Sequence, residues 1–251
     1  MLTPERQKVI EDFVNQHGLC RVSDLCSITS TSESTIRRDL NQLAEKGLIK
    51  RVHGGAQSVK SFTHDVSQHI RFSMNHNDKK LIAQYAAANF VHQDDYIFID
   101  AGTTTYEMVP FIADIPLVTV VTNGLETALC AISHGIETIL LGGRIKENTH
   151  AVVGQAALKQ LQGMNFSASF VGTNGLDYRG NLTTPDTEEA AIKKIAIAQA
   201  NQTYILADTS KIGECSFATF AQVKNVTVLT TALSAKEKEL LPAKIKLKEI
   251  C

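Results

Sequence analysis

The chain has 251 residues, 43% of them hydrophobic, and a formal net charge of −1. That length suits one large domain or a small and a medium one, and the apolar content is enough for a real core. Aromatic residues make up only 6% and Trp is absent, which argues against a stacking platform for single-stranded nucleic acid. No apolar run reaches the roughly 18 residues of a membrane span. The charged start "MLTPERQKVI" is read as helix rather than signal peptide. Cys20, Cys26, Cys130, Cys215 and Cys251 are scattered without zinc spacing, so idle thiols in a reducing cytoplasm are expected, with no metal and no cofactor.

In chain order, Thr3-Pro4 reads as a helix start. Val9, Ile10, Phe13 and Val14 follow at helical spacing, and Gly18 is the expected stop. "LCRV" (19–22) is short and extended, and Ser23 is expected to cap a second helix. "SESTIRRDL" opens a third, with Ser32 at the cap and Gly47 at the end. At 100° per residue, Ile36, Leu40 and Leu43 fall within about 60° of one another and form a narrow apolar stripe. Ser34, Arg38, Asn41 and Glu45 lie opposite, with Arg37 on their flank. Thr35 sits beside the start of that face. A helix in a DNA major groove needs this layout: short hydrogen-bonding groups near its N-terminus and cations within reach of phosphates.

"LIKRVHGGA" (48–56) then reads as a strand able to pair with "LCRV", with a flexible tip at "HGG". It would set Lys50, Arg51 and His53 beside the DNA backbone. Residues 34–60 hold six Lys/Arg against two Asp/Glu, so the remainder of the chain carries the compensating negative charge. Helix, strand, two helices and a basic wing describe a winged helix-turn-helix that binds double-stranded DNA. The run "SESTIRRDLNQLAEKGLIKRVHGGA" (32–56) resembles the N-terminal signature of the DeoR family of bacterial sugar-metabolism regulators. With "MLTPERQ", it is most similar to the fructose-operon repressors of Gram-positive bacteria.

Residues 58–77 are polar and weakly periodic and read as a linker between a DNA-binding domain (1–57) and a C-terminal domain (78–251). His64, His69 and His76 within it show no metal spacing. From Asp78 an amphipathic helix precedes short apolar runs at 96–100, 117–122, 138–143, 168–173, 204–208 and 226–231. Helical patterns lie between them at 104–113, 124–134, 154–162, 187–201 and 234–241. Strands alternating with helices predict an α/β domain on a mainly parallel sheet. Ligands bind beyond the carboxyl ends of such strands, where this chain carries "AGTTT", "TNG", "GGR", "GTNG" and "DTSK". Gly, Thr and Ser there suit anionic oxygens, with Arg144 and Lys211 as cations and Asp100 as acceptor for sugar hydroxyls. Neither a dinucleotide fingerprint nor a P-loop is present.

"DAGTTT", "VVTNG", "LLGGR", "GTNG" and "LTTPDTEEAAIKK…ADTSKIG" extend the DeoR resemblance over nearly the whole chain. It implies an effector-binding domain that shares its fold with ribose-5-phosphate isomerases and CoA transferases. It also implies a phosphate seat at Gly102, Thr103, Thr104 and Thr105 with Lys211. Sugar contacts would come from Asp100, Asn123, Gly143, Asn174 and Glu188, and fructose 1-phosphate is the effector expected for the subgroup. The expectation is a repressor, a homodimer or higher oligomer, relieved by a phosphorylated sugar. The alternative is an isomerase-like enzyme with an accessory DNA-binding domain, using Glu188 or Glu189 with Asp177 or Asp186 for proton transfer.

Overall fold

The computed structural model describes residues 2–17, 19–52, 54–58, 68–242 and 244–250. The chain divides into two compact units, 1–66 and 67–251. In the first, α1 (Thr3–His17), β1 (Leu19–Arg21), α2 (Val22–Thr29) and α3 (Glu33–Glu45) precede β2 (Ile49–Val52) and β3 (Gly55–Ser58). Ile10, Val14, Leu25, Ile36, Leu40, Leu43 and Ile49 are buried together, so the stripe on α3 is its docking face. The expected stop at Gly18 lies outside the described residues.

Three local expectations change. Helix α2 begins one residue before Ser23; Arg21 takes the cap position and its backbone N–H donates to the Asp24 carboxylate at 3.1 Å. Ser32 does sit at the cap of α3, but its hydroxyl pairs with those of Ser34 and Thr35, both at 3.1 Å, rather than with a backbone amide. The wing is a hairpin, β2 with β3, and it is β3 rather than the 48–52 segment that pairs with β1. The reason is steric. A Cβ at Gly55 would lie 2.0 Å from the Cys20 carbonyl oxygen, so only glycine lets the returning arm approach β1.

The second unit contains α4 (Gln68–Ser73), α5 (His76–Phe90), β4 (Tyr96–Ile99), α6 (Thr103–Tyr106), α7 (Val109–Ile112), β5 (Thr119–Thr122), α8 (Leu125–Ser133) and β6 (Glu137–Leu140). There follow β7 (Arg144–Ile145), β8 (Val152–Val153), α9 (Gln155–Gln162), β9 (Phe166–Gly172), β10 (Gly175–Leu176), β11 (Asn181–Thr184) and α10 (Thr187–Ala198). The unit ends with β12 (Ala200–Leu206), β13 (Ala218–Gln222), β14 (Thr227–Thr231), α11 (Ala235–Glu239) and β15 (Lys246–Ile250).

Seven strands form one sheet in the order β15-β14-β12-β9-β4-β5-β6, every neighbouring pair parallel. Both faces of its central strands are buried, whereas the edge strands β6 and β15 are largely exposed or half-buried. Phe98, Val121, Val171 and Ile205 enter one core while Ile97, Ile99, Val120, Phe170 and Leu206 enter the other, as the two-residue repeat of a strand requires. The continuous apolar runs of the sequence follow from that double burial. A small antiparallel sheet, β10-β11-β13, was not foreseen; its strands are short, two to five residues each.

The expected linker (58–77) is only partly one. Its later part belongs to the second unit, where Gln68 is buried. The Gln68 backbone N–H donates to Asn148 O at 2.9 Å and its side chain to Ala101 O at 3.2 Å. Phe72 meets Tyr106 edge-on with ring centroids 4.9 Å apart. His64 lies outside the described residues, and His76 Nδ1 is 3.4 Å from Glu107.

Candidate functional sites

In the first unit, α3 exposes Ser34, Arg37, Arg38 and Asn41, the wing exposes Lys50, and Thr35 and Arg51 are half-buried. His53 lies outside the described residues. Arg37 contacts Glu33 one turn back at 3.2 Å, an exposed pair of small energetic weight. Arg51 Nη1 donates to Gly55 O at 3.1 Å and so braces the hairpin. Asp39 is different: it is 2% exposed and accepts from Arg6 Nε at 2.6 Å and from Gln7 Nε2 at 3.3 Å. The acidic residue of the "RRD" run therefore locks α3 to α1 and leaves the two arginines outside. Arg38 has no partner among the described residues and stands on the free face. Arg38→Ala is expected to cost about 1–3 kcal/mol in operator binding, with a smaller loss on random DNA, as read by fluorescence anisotropy. Equal losses on both would make Arg38 a phosphate contact.

In the second unit, sequence order reverses between β4 and β9, which are neighbours at the centre of the sheet. Such a switch point opens a crevice at the carboxyl ends of the strands. A cavity of about 650 Å3, counting its open mouth, lies there. Asp100, Gly102, Thr103, Thr104, Asn174 and Lys211 line it, so six of the ten expected effector residues are brought together.

The other four are not in its lining. Thr105 is fully buried, and its hydroxyl donates to Asp100 O and Gly102 O, both at 2.8 Å. Asn123 Oδ1 accepts from Ala101 N at 3.1 Å and holds the loop from behind. A Cβ at Gly143 would lie 2.5 Å from Val153 O, so that glycine serves strand contact. Glu188 is paired with Arg144, which removes both the expected sugar contact and the expected cation from the cavity lining.

Sequence reasoning missed three cations in the lining, Arg71, Lys79 and Lys193; of the carboxylates there, Glu189 was named only for proton transfer and Asp208 only as part of "DTSK". A signal for two of them existed. Lys79 shares the buried stripe of α5 with Ile82, Ala83 and Ala86, and Lys193 shares that of α10 with Ala196. A lysine on an apolar stripe has a buried task. Lys193 pairs with Asp100 and also donates to Gly172 O at 3.1 Å, while Gly172 N donates to Asp100 Oδ2 at 3.1 Å. Asp100 thus ties the ends of β4 and β9 together across the switch point.

Burial pushes Glu189 upward, but Lys193, Lys146 and the Thr149 hydroxyl outweigh it and hold its carboxyl below the usual range. Lys146 Nζ and Thr149 Oγ1 each donate to it at 2.8 Å. Lys79 lacks such full compensation. Burial depresses its pKa to about 8; Asp208 opposes this, Lys211 and Arg71 add to it, and Glu107 opposes it weakly. Three cations thus gather at one side of the cavity, where an anion would relieve their mutual repulsion.

The carboxylates proposed for proton transfer have structural tasks. Asp186 caps α10, accepting from Glu188 N and Glu189 N at 2.9 Å. Asp177 Oδ1 accepts from Arg179 N and Asn181 N at 2.9 Å and closes a turn. Among the described residues no group of three or more His, Cys, Asp or Glu side chains is placed to hold a metal ion. Nor is any described helix long and apolar enough to cross a membrane.

Comparison with known proteins matches residues 6–62 to the DeoR-like helix-turn-helix domain and residues 74–232 to the DeoR C terminal sensor domain. FruR of Bacillus subtilis, described as an uncharacterized HTH-type transcriptional regulator, is 42% identical over 231 residues, 92% of each chain. A lactose phosphotransferase system repressor of Streptococcus mutans is 34% identical over 92% of each chain. Among solved structures, ribose 5-phosphate isomerase from Plasmodium falciparum overlaps 53% of this chain and 51% of its own at a TM-score of 0.40 and 19% identity. That likeness is too slight to argue from, whereas the two domain matches and the named relatives make this a DNA-binding regulator and not an enzyme. With both halves accounted for and a relative that spans nearly the full length, the chain belongs to the DeoR family of helix-turn-helix transcriptional regulators.

Proposed function

We propose that this regulator represses a sugar-utilisation operon in the cytoplasm and is released from its operator by a phosphorylated sugar. Fructose 1-phosphate is the first candidate. The observation that carries the reading is the cavity at the switch point, where Gly102, Thr103 and Thr104 face Lys79, Lys211 and Arg71. Small hydroxyl side chains beside clustered cations suit a phosphate, and Asn174 offers hydrogen bonds to a polyol. A relative named as a lactose phosphotransferase system repressor supports the sugar-operon reading. No cofactor is required.

The route to DNA runs through α4. This helix follows the reading unit in chain order, supplies Arg71 to the cavity, and is clipped by Gln68 to the Ala101 carbonyl. A ligand that settles the 100–104 loop also settles α4. Two or more chains would place two reading helices on two operator half-sites, since oligomer symmetry is mirrored in DNA repeats. An effector that prefers one arrangement by 10- to 100-fold shifts operator affinity by ~1.4–2.7 kcal/mol, an ordinary allosteric coupling. The test is an operator-shift titration on a site selected from random DNA with the full chain. Fructose 1-phosphate is expected to raise the operator Kd at least about tenfold. If no member of a panel of sugar phosphates changes that affinity, the switch is wrong.

A further inference from the structure

The two edges of the large sheet are unlike. β15 reads "KLKEI" and exposes Lys246 and Lys248, the usual guard of an edge strand against pairing. β6 reads "ETIL" and carries no charge past Glu137. Its inner side pairs with β5, and among the described residues no strand pairs with its outer side. Ile139 and Leu140 are each more than a third exposed there.

Helix α8 extends that apolar edge. Thr127, Ala128 and Ala131 are its buried face, and the helix packs on β5 and β6. At about 100° per residue, Cys130 falls on one flank of that face and Leu125, Leu129 and Ile132 on the other. Cys130 lies against Tyr106 and the core that holds Met108 and Val109, so its flank looks inward along the sheet. The opposite flank therefore looks out over the open edge, where Leu129 and Ile132 are 56% and 62% exposed. Leu140 shares this side of the sheet: Thr138 and Leu140 are in register with Val120 and Thr122, and Val120 packs in the same core as Ala131.

These side chains leave on the order of 300 Å2 of contiguous apolar surface, the size of patch that marks an interaction site. A stable dimer buries about 800 Å2 per partner, a little over half of it apolar, so the patch supplies much of an interface core. The spacing also suits a second copy. Because α8 lies over β5 and β6, pairing β6 with its own copy sets the two α8 axes two strand spacings apart, about 10 Å, an ordinary distance for packed helices.

We propose that β6 and α8 form the face through which two copies of this chain pair, β6 antiparallel to β6 about a two-fold axis, with the Leu129 and Ile132 flanks packed against each other. This rests on the two-chain operator reading above and deepens it by naming the surface. The sheet then runs unbroken through both copies, and the charged β15 strands stand at its outer ends.

Leu129→Glu combined with Ile132→Glu is expected to weaken self-association at least about 100-fold, because a two-fold contact counts each substitution twice. Sedimentation of the full chain over a range of concentrations reads this. Leu81→Glu, at an exposed position of α5, is the control and should leave association unchanged. A second measurement needs no variant. Amide exchange at Glu137–Leu140 in the wild-type chain should slow as concentration rises through the midpoint of self-association, because pairing closes the outer edge of β6.

If the double variant fails to fold, the exchange measurement decides. A folded double variant that associates as tightly as the wild type, or β6 exchange that ignores association, overturns this face and leaves the two-chain reading standing. A wild-type chain that stays monomeric up to about 100 μM removes both.

Discussion

Lys193→Met is expected to destabilise the second unit by about 3–5 kcal/mol, because it leaves a buried carboxylate without its counter-ion. The Asp100 and Lys193 side chains are 3% and 6% exposed, so water cannot replace the lost partner. Gly172 N would remain as a donor to Asp100 Oδ2 at 3.1 Å, which satisfies one lone pair but not the charge. Methionine fills a similar volume, so the loss is electrostatic rather than a cavity. Urea unfolding followed by circular dichroism checks this. The expected result is an earlier transition for the second unit and an unchanged one for the first, since the two units have separate cores.

Converting both partners, Asp100→Leu with Lys193→Met, should recover much of the stability, because a buried ion pair is often replaceable by apolar groups. A double variant whose loss equals the sum of the two single losses would show the pair to be energetically independent. The same experiment addresses the role of Asp100, which the sequence cast as a sugar ligand. If its first task is to join β4 to β9, the double variant folds.

The second large effect concerns Lys79. Lys79→Met should weaken fructose 1-phosphate binding by about 1.5–3 kcal/mol, the range for a hydrogen bond to a charged group. Its pH dependence has a definite sign. The folded-state pKa is depressed from 10.5 to about 8, so between those values the folded chain holds fewer protons on this group than the unfolded chain. The destabilisation is therefore complete below about pH 8 and fades as pH rises toward 10.5. An anion beside the ammonium reverses the shift, so binding takes up protons near and above pH 8.

A phosphomonoester with its second pKa near 6 is already mostly dianionic at pH 7, so its own titration adds little. Effector affinity should then fall as pH goes from 7 to 9, and calorimetry in buffers of different ionisation heat should show the proton uptake. Lys79→Met should flatten that profile as well as weaken binding. A variant that binds equally tightly with the same profile would place the phosphate away from α5.

What local sequence determined is clear at α3. Ile36, Leu40 and Leu43 recur at helical spacing because a helix against two others buries one stripe, and the remaining face, with Arg37 and Arg38, was legible in the same step. Six of the seven strands of the large sheet were equally plain, because strands buried on both faces demand continuous apolar runs; β15, reading "KLKEI", carries no such run and was not foreseen. Glycine and threonine at the strand ends marked the cavity rim for the same reason that they mark any close backbone approach.

What only the tertiary structure decided is who meets whom across long sequence separations. Arg6 finds Asp39, Lys193 finds Asp100, and Asn75 finds Asp208, pairs drawn from distant segments that no local periodicity connects. Glu188 and Glu189 are adjacent in sequence, yet one faces Arg144 outside the cavity lining and the other lies within it, because successive helical residues point about 100° apart. The wing resolved the same way. Its strand was visible, but its pairing was settled by the absence of a side chain at Gly55, where β3 passes against Cys20. Secondary structure follows from neighbours along the chain, whereas charge pairing in the interior follows from burial, which is a property of the folded whole.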